Sequence, residues 1–142
     1  MTGVEEVGSV PFGHVHHVAI TVTDLGRSQE WYGRVLGWEH TWTSEAGTPQ
    51  CSVGTLPDGT LLCFWTHTGD GTAFDFARTG LDHLAFGVDS LVELSAWEQR
   101  FAELGVPYSP PADAGPFGRA INFKDPDGIA LEIFLPAARM GT

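Results

Sequence analysis

Positive charge is scarce in this chain. Seven Lys+Arg stand against eighteen Asp+Glu, a formal net charge of −11. Such a surface repels phosphate backbones and anionic headgroups, so neither nucleic acid nor a membrane is an expected partner. Cysteine is also rare: Cys51 and Cys63 are the two, with no CxxC pair. A disulfide framework is therefore not expected, and both are read as reduced thiols. No apolar run reaches the ~20 residues that cross a bilayer. The N-terminal stretch MTGVEEVGSVPFG carries two glutamates and no basic residue, the wrong pattern for a signal peptide. A cytoplasmic protein is expected.

What is present is a globular composition, 42% hydrophobic and 18% charged, in 142 residues. That length suits one domain with a proper core. Nine Phe, five Trp and two Tyr supply enough aromatic surface for an aromatic-lined cavity as well as a core.

The chain also repeats itself. LPDGTLLCFW (56–65) matches DPDGIALEIF (125–134) at Pro, Asp, Gly and Leu. Upstream, HVAITVTDLGRSQEWYGRVLGW (17–38) matches HLAFGVDSLVELSAWEQRFAELG (83–105), pairing His17 with His83, Ala19 with Ala85, Trp31 with Trp97 and Arg34 with Arg100. Two blocks in the same order at nearly the same spacing imply a duplicated module.

Each copy reads as βαβββ. Strands are predicted near 16–22, 38–45, 50–56 and 60–67, then near 82–88, 106–109, 117–124 and 129–135. Helices are predicted over about 26–36 and 90–104. Ser90 and Glu93 form a capping-box pattern, and Gly37 and Gly105 stand at the C-caps. The expected organisation is a tail over 1–13, one domain over 14–136 and a short tail over 137–142. Within the domain, module one covers 14–67, a linker 68–80 and module two 81–136.

Alternation along the strands sorts their side chains. His17, Ala19 and Thr21 share one face, opposite Val18, Ile20 and Val22. His83, Ala85 and Gly87 lie opposite Leu84, Phe86 and Val88. Ala130, Glu132 and Phe134 lie opposite Leu131, Ile133 and Leu135. One face is thus large and apolar, and the other holds a single ligand-type residue among small neighbours. A carboxylate in a strand is costly unless compensated. Glu132 has two kinds of candidate partner, a cation such as Arg119 or Lys124, or a metal. Two imidazoles and one carboxylate are a standard divalent-metal set, which favours His17, His83 and Glu132 as ligands. His14 and His16 are read as surface residues, with His16 pointing away from His17. Asp58 and Asp127 belong to the PDG turns. Trp65, Phe117, Phe123 and Phe134 are candidates for a substrate-pocket wall, with core packing as the alternative.

The segments HHVAITVTDLGRSQEWYGRVLGW, GLDHLAFGV and FKDPDGIALEIF resemble the vicinal oxygen chelate superfamily, the glyoxalase/bleomycin resistance protein/dioxygenase group, over about 14–136. The resemblance implies an α+β fold of two tandem βαβββ modules whose curved sheets form a cup. It implies one divalent metal ion, with Fe, Mn, Zn and Ni not distinguished, held by His17, His83 and Glu132. Cys63 stands at the fourth corner, where lyases and epimerases of the group place Glu or Gln. There it is a buried small hydrophobe, a cavity-facing bystander or a soft ligand; Cys63 and His67 are the weak catalytic candidates. The resemblance further implies a metal-dependent dioxygenase or a lyase/isomerase acting on a small molecule that chelates the metal through oxygen. The alternative is a protein that sequesters a small molecule or antibiotic without catalysis. Fosfomycin thiol transferases are disfavoured, because Ala19 replaces their threonine and no phosphonate-holding basic residues stand at the corresponding positions. Because such cups are often shared between subunits, a homodimer is expected; the sequence leaves open whether modules pair within or between chains, and pairing between chains would set His17 of one chain with His83 and Glu132 of the other.

Overall fold

The computed structural model describes residues 8, 10–69 and 71–141. Residues 1–7 and 9 of the expected tail, Asp70 of the expected linker and Thr142 lie outside the described residues. The elements run β1 (His17–Thr21), α1 (Leu25–Leu36), β2 (Glu39–Thr43), β3 (Gln50–Thr55) and β4 (Leu61–Thr66). A second set follows: β5 (Leu84–Gly87), α2 (Leu91–Leu104), β6 (Ala112–Asp113), β7 (Gly118–Lys124) and β8 (Ala130–Pro136). The fold is α+β, two βαβββ modules in tandem.

Each module makes one four-stranded sheet, ordered β1-β4-β3-β2 and β5-β8-β7-β6. The first strand of each module pairs parallel with its last strand, and the remaining pairs are antiparallel. β1 and β5 each lie at one edge of their sheet, with β2 and β6 at the other.

The helices begin and end where local chemistry dictates. Asp24 accepts from the Arg27 N–H and Ser90 from the Glu93 N–H, satisfying first-turn donors that lack helical partners. The Glu93 carboxylate returns the favour by accepting from the Asp89 N–H. Gly37 and Gly105 close the two helices at φ 74° and 69°, a left-handed conformation that other residues adopt only with strain.

One expected strand differs. Over 106–109, Tyr108 alone bridges to Phe123, and the regular strand comes later, at Ala112–Asp113. Pro107, Pro110 and Pro111 lack the N–H groups that a continuous ladder needs.

The apolar faces of both sheets and both helices share a single core. Trp31 of α1 stacks on Phe123 of β7 at 6.2 Å, and Tyr32 packs on Phe64 of β4 at 4.8 Å. α1 therefore belongs to both modules. Burial of each large side chain here is worth about 1.5–3 kcal/mol. Arg34 and Arg100, paired by the repeat, reach across the helix interface in opposite directions. Arg100 donates to the carbonyls of Val35 and Arg34 at 3.0 and 2.8 Å, and Arg34 donates to that of Leu104 at 3.5 Å. Guanidinium groups at helix C-termini satisfy orphan carbonyls and oppose the helix dipole. With the helix sides committed to one another, the small-residue faces of the sheets are left open.

Candidate metal centre

β8 runs between β5 and β7, and strand alternation buries its Leu131, Ile133 and Leu135 in the core. Ala130, Glu132 and Phe134 take the open face. Register places Ala85 and Asn122 beside Glu132, and Gly87 and Ala120 beside Phe134. Small neighbours leave room above the carboxylate.

His83 immediately precedes β5. Its Nε2 lies 3.6 Å from Oε1 of Glu132, whose side chain is 18% exposed. Two donors bound at about 2.1 Å to one cation sit roughly 3.0–3.4 Å apart, so small side-chain movements suffice to place both on one ion. On its other side, His83 Nδ1 is 2.6 Å from Oδ1 of Asp82. That hydrogen bond is the main reason the imidazole is held above its ordinary pKa. Burial opposes the shift, and the charges of Glu132 and Asp82 reinforce it. A proton on Nδ1 directed at Asp82 leaves Nε2 free for a metal, the usual arrangement behind a ligating histidine.

Neither cation considered from the sequence compensates Glu132. Arg119 is opposite Leu135 and so shares the helix-facing side, while Lys124 is on the open face opposite Ala130. No ion pair joins Glu132 to either among the described residues.

His17 opens β1 opposite Leu61 and is exposed. It is not brought to the other two within one chain: among the described residues, no group of three or more His, Cys, Asp or Glu side chains could hold a metal ion. His16 does not turn away from it. Its Nδ1 approaches Nδ1 of His17 at 2.9 Å, because β1 starts only at His17 and alternation does not extend back to residue 16. Asp82 lies outside β5 for the same reason. The residue before each candidate ligand histidine thus touches its Nδ1 in both modules. Sequence reasoning missed Asp82, although the dipeptide Asp82-His83 was there to be read.

The other candidates scatter. Cys63 lies opposite Val53 and beside Ala19, 7% exposed. Burial, and then neighbouring Cys51, push its thiol upward, surroundings that favour the neutral form. Trp65 shares that open face, with His67 stacked on it at 5.7 Å and 8° between rings. Phe134 lies on the open face of module two. Phe123 is a core residue in contact with Trp31 and Phe101, and it also lines the cavity that holds His83 and Glu132. Phe117 ends the short 3-10 turn Gly115–Phe117 and is 73% exposed. Asp58 accepts from Thr60 within its turn. Asp127 goes further, tying module two to Thr23 and Arg27 of module one.

A cavity of about 910 Å³ runs round the Lys124 end of β7 and is lined by Trp31, His83, Tyr108, Asn122, Lys124 and Glu132 among others. The sequence matches the Glyoxalase/Bleomycin resistance protein/Dioxygenase superfamily over residues 14–133. The chain belongs to this superfamily. A glyoxylase/bleomycin resistance protein/dioxygenase domain from a Frankia species is 37% identical, with a TM-score of 0.79 over 89% of this chain and 93% of that one. A glyoxalase family protein from Enterococcus faecalis is 25% identical, with a TM-score of 0.71 over 87% and 98%. The fosfomycin resistance protein FosX from Listeria monocytogenes, in a variant complexed with Mn(II) and 1S,2S-dihydroxypropylphosphonic acid, shares the superfamily fold at 19% identity. Its TM-score is 0.66 over 87% and 90%. No curated protein sequence matches the chain. Among the described residues, no helix is long and apolar enough to cross a membrane.

Proposed function

We propose that this superfamily member is a divalent-metal-dependent enzyme acting on a small molecule that chelates the metal through oxygen atoms. The observation that carries the reading is the His83–Glu132 pair, 3.6 Å apart on the open face, with Asp82 fixing the histidine from behind. The donor set fits a borderline divalent cation, two imidazoles and a carboxylate with positions left for substrate. The manganese-bound FosX relative supports a metal of this class.

In this reading residues 14–136 act as one unit, and the cup is completed in a homodimer. Module two of one copy offers His83 and Glu132, and module one of the other offers His17. Two features favour it: among the described residues His17 forms no metal-holding group with the pair in its own chain, and β1 and β5 are each an edge strand. When bound, the cation supplies Lewis-acid polarisation of the chelating oxygens. Asp82 and His16 hold the histidine rings, and Ala19, Ala85 and Gly87 keep the floor low enough for substrate. Cys63 places no carboxylate at the fourth corner. That favours a three-ligand, dioxygenase-type site over a lyase needing a second carboxylate base.

The experiment is metal analysis of protein purified without chelator, followed by the same on His83→Ala and Glu132→Ala. Near-stoichiometric metal in the parent and loss in both variants, with unchanged circular dichroism, is expected. Full occupancy in either variant removes that residue from the ligand set.

A further inference from the structure

The chain contains one lysine, Lys124. In a protein of net charge −11 it stands on the open face of module two and lines the same cavity as His83 and Glu132. Lys124 is exposed, yet no ion pair joins it to a carboxylate among the described residues. The open-face residues nearest to it are apolar or neutral. Ala130 lies directly across the strand pair, Asn122 shares its strand and face, and Asp125 next to it is turned inward onto Tyr32.

The register gives the arrangement a scale. Leu84 is opposite Leu131, so His83, one residue earlier, falls in the row of Ala130 and Lys124. Two strand spacings of about 4.8 Å separate the backbones of His83 and Lys124. Glu132 is the diagonal neighbour of Lys124, roughly 7–8 Å away across the sheet. Ala130 leaves the space between them unfilled. The charges point the same way. Of the charged side chains lining the cavity, Glu132, Asp82 and Asp125 stand against Lys124, Arg34 and a divalent cation, which leaves the loaded pocket an excess positive charge.

We propose that Lys124 anchors an anionic group of the substrate, so that the site takes small molecules carrying a carboxylate or phosphonate apart from their metal-chelating oxygens. The inference deepens the metal-dependent reading above and rests on it. An ammonium at this place binds such a group by a charge-assisted hydrogen bond, and the low-lying alanine lets one compact molecule reach both ends.

Because the lysine is unique, protein made with ¹³Cε-lysine shows one lysine resonance. Bound Mn(II) is expected to broaden it, which places the metal near Lys124 before any ligand is added. With zinc in place of manganese, three probes are compared by titration: catechol, 3,4-dihydroxybenzoate and 3,4-dihydroxyphenylphosphonate. The two anionic probes should move the resonance and bind about tenfold tighter than catechol, the scale of one partly exposed charged hydrogen bond. Whichever of the two binds tighter identifies the anion. Lys124→Arg should keep the preference, and Lys124→Met should lose it while retaining catechol affinity and metal. Equal binding of all three probes by the parent, or a preference surviving in Lys124→Met, overturns the anchor with the metal reading intact. Absence of bound manganese overturns both, and is read before the probes are added.

Discussion

Asp82 stands behind His83 as His16 stands behind His17: the first contact is 2.6 Å and the second 2.9 Å, each to Nδ1 of the candidate ligand ring. The two modules diverged in the chemistry of that residue and kept its place. A carboxylate strengthens the donor power of the opposite nitrogen more than an imidazole does, so His83 should grip the metal more firmly than His17.

Asp82→Ala should therefore weaken metal binding by about 10–100-fold without unfolding the protein, the usual cost of losing such an outer partner. Asp82→Asn should fall between, since its amide oxygen still accepts from Nδ1. His16→Ala should cost less than Asp82→Ala. Metal affinity by competition with a chromogenic chelator reads all three, and equal affinity in Asp82→Ala and the parent would remove the positioning role.

The shared cup makes a second prediction. His17→Ala and His83→Ala should each lose metal alone, but mixing them should recover it, because half-sites from different copies combine in a heterodimer. Recovery should need subunit exchange and be absent after crosslinking each variant separately. Sedimentation showing a monomer at micromolar concentration, with metal still bound, would sink the shared site.

Cys63 is expected to be a spectator. Cys63→Ser and Cys63→Ala should leave metal affinity within a few fold, since burial favours its neutral thiol and the three-ligand set does not require it. A sulfur-to-metal charge-transfer band in the cobalt-substituted protein, lost in Cys63→Ser, would make it a ligand.

Tyr32 of module one donates its hydroxyl hydrogen to the Asp125 carboxylate of module two at 2.8 Å, deep in the core. Burial lifts the Asp125 carboxyl above its ordinary value, while Tyr32 and the backbone N–H groups of Ile129 and Asp127 pull it down. A raised folded-state pKa means that the proton favours folding. That contribution is complete below the unfolded value of about 3.9 and is lost as pH rises through the folded value. Tyr32→Phe removes one of the groups holding the carboxyl down, so it should destabilise the chelator-treated protein by about 1–3 kcal/mol at pH 7. The deficit should shrink as the pH is lowered toward that of the unfolded carboxyl. Urea unfolding at pH 7 and pH 5 measures it, and a deficit larger in acid would contradict the assignment.

The sequence by itself determined the elements (apart from one strand of module two), their duplication and which strand residues share a face. Those are local properties: a period of two, a capping box at Ser90, glycines at Gly37 and Gly105. Glu132 was legible as a residue needing compensation because its neighbours along the strand are apolar. Alternation failed just outside the strands, at His16 and Asp82, where backbone direction no longer follows the pleat. Prolines shifted the strand expected over 106–109. Phe123 was ambiguous because an aromatic residue reads the same in a core as in a pocket wall. The tertiary structure gives it both parts, packing it on Trp31 of α1 in the core and at the wall of the cavity beside His83. No local pattern showed that, among the described residues, His17 forms no metal-holding group with His83 and Glu132. Contacts between residues some 66 to 100 positions apart fix such an arrangement, and no local pattern encodes them.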